Sequence, residues 1–300
     1  MKIRIIILAA LALALCLSSA ACADQAPPSN IGNFEFTPEN YPKMGGSLAA
    51  LPLGEAVTAA VLGVDRAQTG EYIVFEGSTT SNYTKLVDGQ FDILLAYEPS
   101  EEAKKYAEES GFEWEMAPIG RDALVFISNA VNPVDGLSDS EIRGIYSGEI
   151  VNWKEIGGND TPIIPYQRNK DSGSQTLFDK LIDLGDDLMK PPSEQVVGSM
   201  IGLLEVFSEY DNAASALGYT VYYYLAYMEK EKLANTKILT VDGVECSNDT
   251  IRSGEYPYVN DFYAVIKADL PDDDPARVLY DWISSEQGKE LVARENYVVL

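Results

Sequence analysis

The sequence predicts an α/β protein, and three observations carry that prediction. Short apolar strands alternate with amphipathic helices, turn residues bound each strand, and 300 residues suffice for one large or two ordinary domains, each with its own core. Strands are expected at residues 72–75, 92–96, 123–128, 162–166, 237–241 and 262–267. One helix carries both its start and stop signals: Ser138 and Glu141 form a capping box, Leu137 and Ile142 a hydrophobic staple, and Gly148 the C-terminal stop. That helix is structural and has no ligand role. No internal repeat is present.

Composition narrows the function classes. With 46% hydrophobic and 23% charged residues, the chain is of globular type, neither disordered nor fibrous. It has no histidine, which excludes histidine-dependent triads and HExxH zinc sites. A formal net charge of −25 argues against nucleic acid as a partner and repels small anions at long range. Any anion site must therefore work through short-range donors.

The N-terminus reads as a secretory signal peptide over residues 1–21. Lys2 and Arg4 precede an apolar run from Ile5 to Leu17, which is too short to span a membrane, and small residues then lead to Cys22. The run into Cys22 resembles the lipobox of bacterial lipoproteins, with Ser19 where Leu is commonest, so Cys22 is expected to carry a lipid (palmitate) anchor. Ordinary cleavage nearby is the alternative. Residues 22–40, with Pro27, Pro28 and Pro38, read as a flexible tether. Cys16 leaves with the signal, so Cys246 stands alone, no disulfide framework is possible, and Cys246 reads as structural.

Three loops share one grammar, glycine and hydroxyl residues immediately before a helix. They are Gly45–Ser47, Gly77–Asn82 and Ser172–Ser174, the last with Arg168 four residues ahead of Ser172. A helix N-terminus presents unpaired N–H groups and a partial positive charge. An anion can be held there without net protein charge. Hydroxyls add rotatable donors, and an arginine fork adds a bidentate contact to a tetrahedral oxyanion. Each loop alone also has a plain reading: Ser and Thr are ordinary N-caps, and Arg168 is a surface ion-pair partner. None has the spacing of a nucleotide P-loop or a dinucleotide fingerprint. The tyrosines Tyr219, Tyr222, Tyr223, Tyr224 and Tyr227 read as a helix packing on the core, with an aromatic ligand pocket as the rival. Acidic residues 108–109 and 272–274 read as solvated faces without calcium-loop spacing.

Residues 123–178 contain ALVFISNAVNPVDGLSDSEIRGIYSGEIVNWKEIGG followed by PIIPYQRNKDSGSQTLF, with Tyr146, Gly148, Ile150, Asn152 and Trp153 matching position by position. On these motifs the chain resembles the phosphate-binding lipoproteins of bacterial phosphate ABC importers, over nearly its whole mature length. The resemblance implies a two-lobed type II periplasmic-binding-protein fold, each lobe a mixed, mostly parallel sheet flanked by helices and joined by two crossing strands. Lobe 1 would comprise residues 41–122 and 260–300, and lobe 2 residues 123–259. By matching position, Arg168, Ser172, Gly173 and Ser174 would hold the anion from lobe 2, and Ser47, Leu48, Thr79 and Thr80 from lobe 1.

Two departures stand out. Leu48 replaces a hydroxyl of the family's first loop, and Tyr97 stands where the family has an aspartate that accepts the proton of phosphate. Glu98 reads either as a displaced acceptor or as an exposed carboxylate. The implied function is capture of phosphate or a similar oxyanion between two closing lobes and delivery to an ABC permease with its ATPase. The implied protein is an exported, lipid-anchored monomer that catalyses nothing and uses no cofactor or metal. The rivals are a binder of sulfate, molybdate or a small organic anion, a surface sensor or adhesion module on the same fold, and, weakest, an exported phosphatase.

Overall fold

The computed structural model describes residues 30–32, 34–209 and 213–300. Cys22, the expected signal peptide and residues 22–29 and 33 of the expected tether lie outside these residues, while the described part of that tether is not free: Asn30–Ile31 pairs with Phe34–Glu35, and Phe36 is buried in the core. The elements that build the molecule are, in chain order, β1 (Met44–Gly46), α1 (Leu51–Leu62), β2 (Ile73–Val74), α2 (Thr79–Val87), β3 (Ile93–Ala96), α3 (Glu101–Glu109), β4 (Trp114–Asn129) and α4 (Asp139–Ser147). They continue with β5 (Ile164–Pro165), α5 (Gly173–Ile182), α6 (Met200–Glu209), β6 (Ala216–Val221), β7 (Thr236–Ile238), β8 (Val259–Lys267), α7 (Pro275–Ile283) and α8 (Glu286–Arg294).

Eight strands form one mixed sheet in the order β2-β1-β3-β8-β4-β6-β5, with β7 also on β4. β1 is parallel to both β2 and β3, and β6 is parallel to β5. Around β4 and β8 the pairing is antiparallel. The 16-residue strand β4 serves two halves: residues 114–123 pair with β8, and residues 124–129 pair with β6 and β7. A second crossing lies beside it, where the Leu124 N–H donates to the Tyr258 carbonyl at 2.9 Å.

The expected strand at 123–128 is thus the second part of a far longer one. Pro118, Gly120 and Arg121 break the apolar pattern of its first part, and the ladder to β8 shifts register there, between Phe262 and Tyr263. Strands β1 and β6 are absent from the sequence reading. In β1 the reason is composition, because Met-Gly-Gly carries no strand propensity. Its glycines answer a packing demand instead: a Cβ on Gly46 would sit 2.0 Å from the Leu95 carbonyl oxygen, and one on Gly45 2.6 Å from the Phe91 ring. The capping box and αL stop of α4 form as read, with Ser138 Oγ accepting from the Glu141 N–H and Gly148 at φ 84°.

The tyrosine reading needs correction at one member. Tyr222, Tyr223, Tyr224 and Tyr227 lie on a helical turn after β6, but Tyr219 is on β6 itself. There it stacks on Phe178 of α5 at 4.5 Å, inside an aromatic cluster with Phe126 and Tyr146. Cys246 is buried and free, and burial pushes its thiol pKa well up, so it stays protonated. No helix among the described residues is long and apolar enough to cross a membrane.

The close approach of β1 to β3 yields a test. Gly46→Ala forces a methyl into the Leu95 carbonyl, which is held in place as acceptor of the Ser47 N–H at 3.0 Å. Chemical denaturation should show a loss of about 1–3 kcal/mol. A variant within roughly 0.5 kcal/mol of wild type would mean that the two strands can separate at little cost.

Candidate functional site

Residues of all three glycine and hydroxyl segments meet at one cavity of about 390 Å³ between the two halves of the sheet; in the first, expected as a loop, Gly45 and Gly46 belong to β1 and only Ser47 reaches the cavity. Ser47, Leu48 and Thr79 line it from the β1–β3 half, and Arg168, Ser172, Gly173 and Ser174 from the β6 half. Thr80 does not line it. The Thr80 hydroxyl hydrogen-bonds Ser100 Oγ at 2.8 Å, and its N–H donates across the halves to the Asp171 carbonyl at 3.3 Å.

Which hydroxyls are engaged in capping decides between the cap reading and the binding reading of each loop. Ser78 caps α2 in a reciprocal box with Ser81, as the cap reading requires. Ser172, at the N-cap of α5, makes no side-chain cap bond, and neither does Ser47 at the start of the 3-10 turn that leads into α1. Both serines are buried at 6% exposure and face the cavity. The first-turn N–H groups of α5 are thus left uncapped by Ser172 beside a cluster of hydroxyls. Ser47 Oγ lies 3.2 Å from Thr79 Oγ1 and accepts from the Tyr97 N–H at 3.4 Å. The starts of α2 and α5 nearly touch, because a Cβ on Gly173 would meet Thr79 Oγ1 at 2.5 Å. Glycine there allows the two halves to close.

Arg168 supplies the charge. It is 6% exposed, and its Nε donates to the Val197 carbonyl at 3.0 Å. Its Nη1 is buried without a hydrogen-bond partner. No carboxylate pairs with it among the described residues, and the cavity lining contains neither Asp nor Glu. Burial therefore lowers its pKa to about 10, which still leaves it cationic at neutral pH. Its backbone is clamped: the Arg168 N–H donates to both Gln175 Oε1 and Tyr219 Oη, each at 3.1 Å. The ion-pair reading of Arg168 has no support in this geometry. A buried cation without a counter-charge and two starts of helical turns without side-chain caps are donors of the kind that a compact anion can engage.

Tyr97 lines the cavity, but its hydroxyl donates to Asp122 Oδ2 at 2.6 Å. Glu98 turns away from the cavity, pairing with Lys180 at 2.6 Å and accepting from the Tyr263 hydroxyl at 3.1 Å. Glu98 is neither a displaced acceptor nor a free exposed carboxylate, since it joins the two halves outside the cleft. Lys170 and Glu102 do the same at 2.9 Å. A fourth helix start at the cavity, Gly198–Ser199 before α6, is absent from the sequence reading although it shares the same grammar. Ser199 does act as a cap, accepting from the Gly202 N–H at 3.0 Å. Asn169 and Val221 also escaped the reading. No cluster of three or more metal-ligating side chains occurs among the described residues.

Asp122 sits where the halves join. It accepts from Tyr97 on one side and from the Tyr223 N–H at 3.0 Å on the other. Burial raises its pKa to about 6, against the opposing effect of these bonds and one from the Ala123 N–H. A carboxyl raised in the folded state adds stability that is fully present below its unfolded pKa and is lost as pH rises through about 6. Wild type should therefore gain on Asp122→Asn as pH falls from about 7 to about 4, by on the order of 2 kcal/mol in denaturation experiments. Parallel pH profiles would sink the assignment.

Comparison with known proteins bears on the fold and the family. A family model described as a PBP superfamily domain matches residues 73–287. The phosphate-binding protein PstS of Bacillus subtilis is 27% identical over 180 residues, 59% of this chain and 55% of that protein. PstS of Borreliella burgdorferi is 24% identical over 203 residues, 66% of this chain and 68% of its own length. The match to the Bacillus protein thus spans little more than half of that relative. Among solved structures, a Clostridium perfringens protein with bound phosphate superposes with TM-score 0.68 at 23% identity, covering 87% of this chain and all of that one. A Vibrio cholerae ABC-type phosphate transport receptor gives TM-score 0.63 at 22% identity over 86% of this chain and 99% of that one. These structures share the fold.

Proposed function

Because this chain belongs to the PBP superfamily, we propose that it is an extracytoplasmic solute-binding protein that captures phosphate between two lobes and presents it to an ABC permease. The observation that carries this reading is the buried Arg168, which has a donor without a protein partner and belongs to the lining of a cleft that also contains hydroxyls and helix starts. Kinship with proteins named for phosphate binding supports phosphate as the anion.

In this reading lobe 1 is residues 41–122 with 260–300, lobe 2 is residues 123–259, and β4 crosses between them near Asp122. Ser47, Leu48 and Thr79 bind from lobe 1, while Arg168, Ser172, Gly173 and Ser174 bind from lobe 2. Thr80 acts one step removed, through its backbone bond to Asp171. A ligand shifts closure only through better binding to the closed form, and donors from both lobes meet that condition. The protein makes and breaks no bonds: its work is reversible capture and release. A signal peptide over residues 1–21 would direct its export and be removed, and a lipid on Cys22 would hold it to the membrane, at the extracellular face or in the periplasm.

Calorimetric titration with phosphate tests the reading. Wild type should bind, and Arg168→Ala should weaken binding roughly 100-fold or more, since a charge-assisted contact from a buried group is lost. Thermal unfolding of the variant without ligand should match or exceed that of wild type, because an uncompensated buried cation has gone. Unchanged affinity in Arg168→Ala would remove the centre of the site.

A further inference from the structure

The cleft has more room, and more apolar lining, than a bare oxyanion uses. A tetrahedral oxyanion has five heavy atoms and the bulk of about three waters, roughly 100 Å³ at ~30 Å³ each. The cavity measures about 390 Å³. Parted lobes do not account for the surplus, because the two halves already touch beside it. The Thr80 N–H reaches the Asp171 carbonyl at 3.3 Å, Lys180 pairs with Glu98 at 2.6 Å, and a Cβ on Gly173 would meet Thr79 Oγ1 at 2.5 Å.

The lining is divided by chemistry and by depth. Ser47, Thr79, Arg168, Ser172 and Ser174, which carry the side-chain donors, are all buried. Gly198 and Ser199 are exposed, Leu48 keeps 37% exposure and Met200 is half-buried, so these residues mark where the cavity meets solvent. Leu48 comes from one half of the sheet and Met200 from the other. Their side chains offer nothing to the oxygens of an anion, but they present apolar surface to a carbon substituent. Tyr97 adds a ring to the lining, its hydroxyl being spent on Asp122.

From this division, and resting on the oxyanion-binding reading above, we infer that the cleft takes phosphoryl groups carrying one small organic substituent, the phosphate monoesters and phosphonates, as well as phosphate itself. The unsubstituted oxygens lie among the buried donors, with one toward Arg168, and the substituent runs outward past Leu48 and Met200. A substituted phosphoryl dianion keeps the charge that the guanidinium and the helix starts engage. Methylene groups laid against the two apolar side chains leave water, a gain in affinity that inorganic phosphate does not have.

The test is calorimetric titration of wild type and Met200→Ala with phosphate and with propylphosphonate, at a mildly alkaline pH where both are dianions. Wild type should bind both, propylphosphonate within about tenfold of phosphate or more tightly, and each should displace the other. Met200→Ala should lower propylphosphonate affinity by about threefold or more, while phosphate affinity stays within about twofold. Phosphate binding with propylphosphonate more than about tenfold weaker would overturn the inference and leave the anion site standing. So would binding of the two without competition, or an unchanged affinity ratio in Met200→Ala. Wild type binding neither anion would remove the proposed function and this inference with it.

Discussion

The proposed site depends above all on the burial of one guanidinium without a counter-charge. Moving a cation out of water is costly, and carbonyl acceptors return only part of that cost. Arg168 has such acceptors at Val197 and Gly198, but no carboxylate. Its place is therefore enforced from outside. Tyr219 and Gln175 grip its backbone N–H, Tyr219 stacks on Phe178, and Phe178 and Gln175 both belong to α5, whose first turn opens on the same cavity. The aromatic core of this half thus places the charge and the helix start together, and the field left over is available to an anion.

That arrangement makes the proposed anion site compatible with an acidic molecule. At a formal net charge of −25 the exterior repels anions, but screening confines that repulsion to about 8 Å in physiological salt. Within the cleft the relevant charges are one guanidinium and the partial charges of helix starts, with no carboxylate in the lining. Specificity and affinity then arise at contact distance, from groups whose orientation the fold has already fixed.

The contacts that hold the halves together are modest. The Lys170–Glu102 pair is largely solvated, and such pairs contribute at most about 1 kcal/mol; the Lys180–Glu98 pair is only partly exposed. The Thr80 to Asp171 backbone bond is a long 3.3 Å. In the proposed function, contacts this small leave the two halves free to respond to a ligand that bridges both sides. Asp122, bonded to Tyr97 from one half and to the Tyr223 N–H from the other, is the buried polar link at the crossing.

Much was legible in the residues alone. The α/β class, the capped helix at Ser138, the three loops before helices and the position of Arg168 follow from short-range patterns. Helix starts, glycine turns and apolar periodicity are local, so a few neighbouring residues suffice to write them. Tertiary structure decided the rest. It turned Thr80 toward Ser100 and left Thr79 in the cleft, sent Glu98 to Lys180, put Tyr219 on a strand, and left Nη1 of Arg168 unsatisfied. Each of those outcomes depends on partners brought together by the fold, as when Tyr223 donates to Asp122 from 101 positions away. Local sequence can state which donors and acceptors exist, but only packing determines which are used up within the protein and which remain for a ligand.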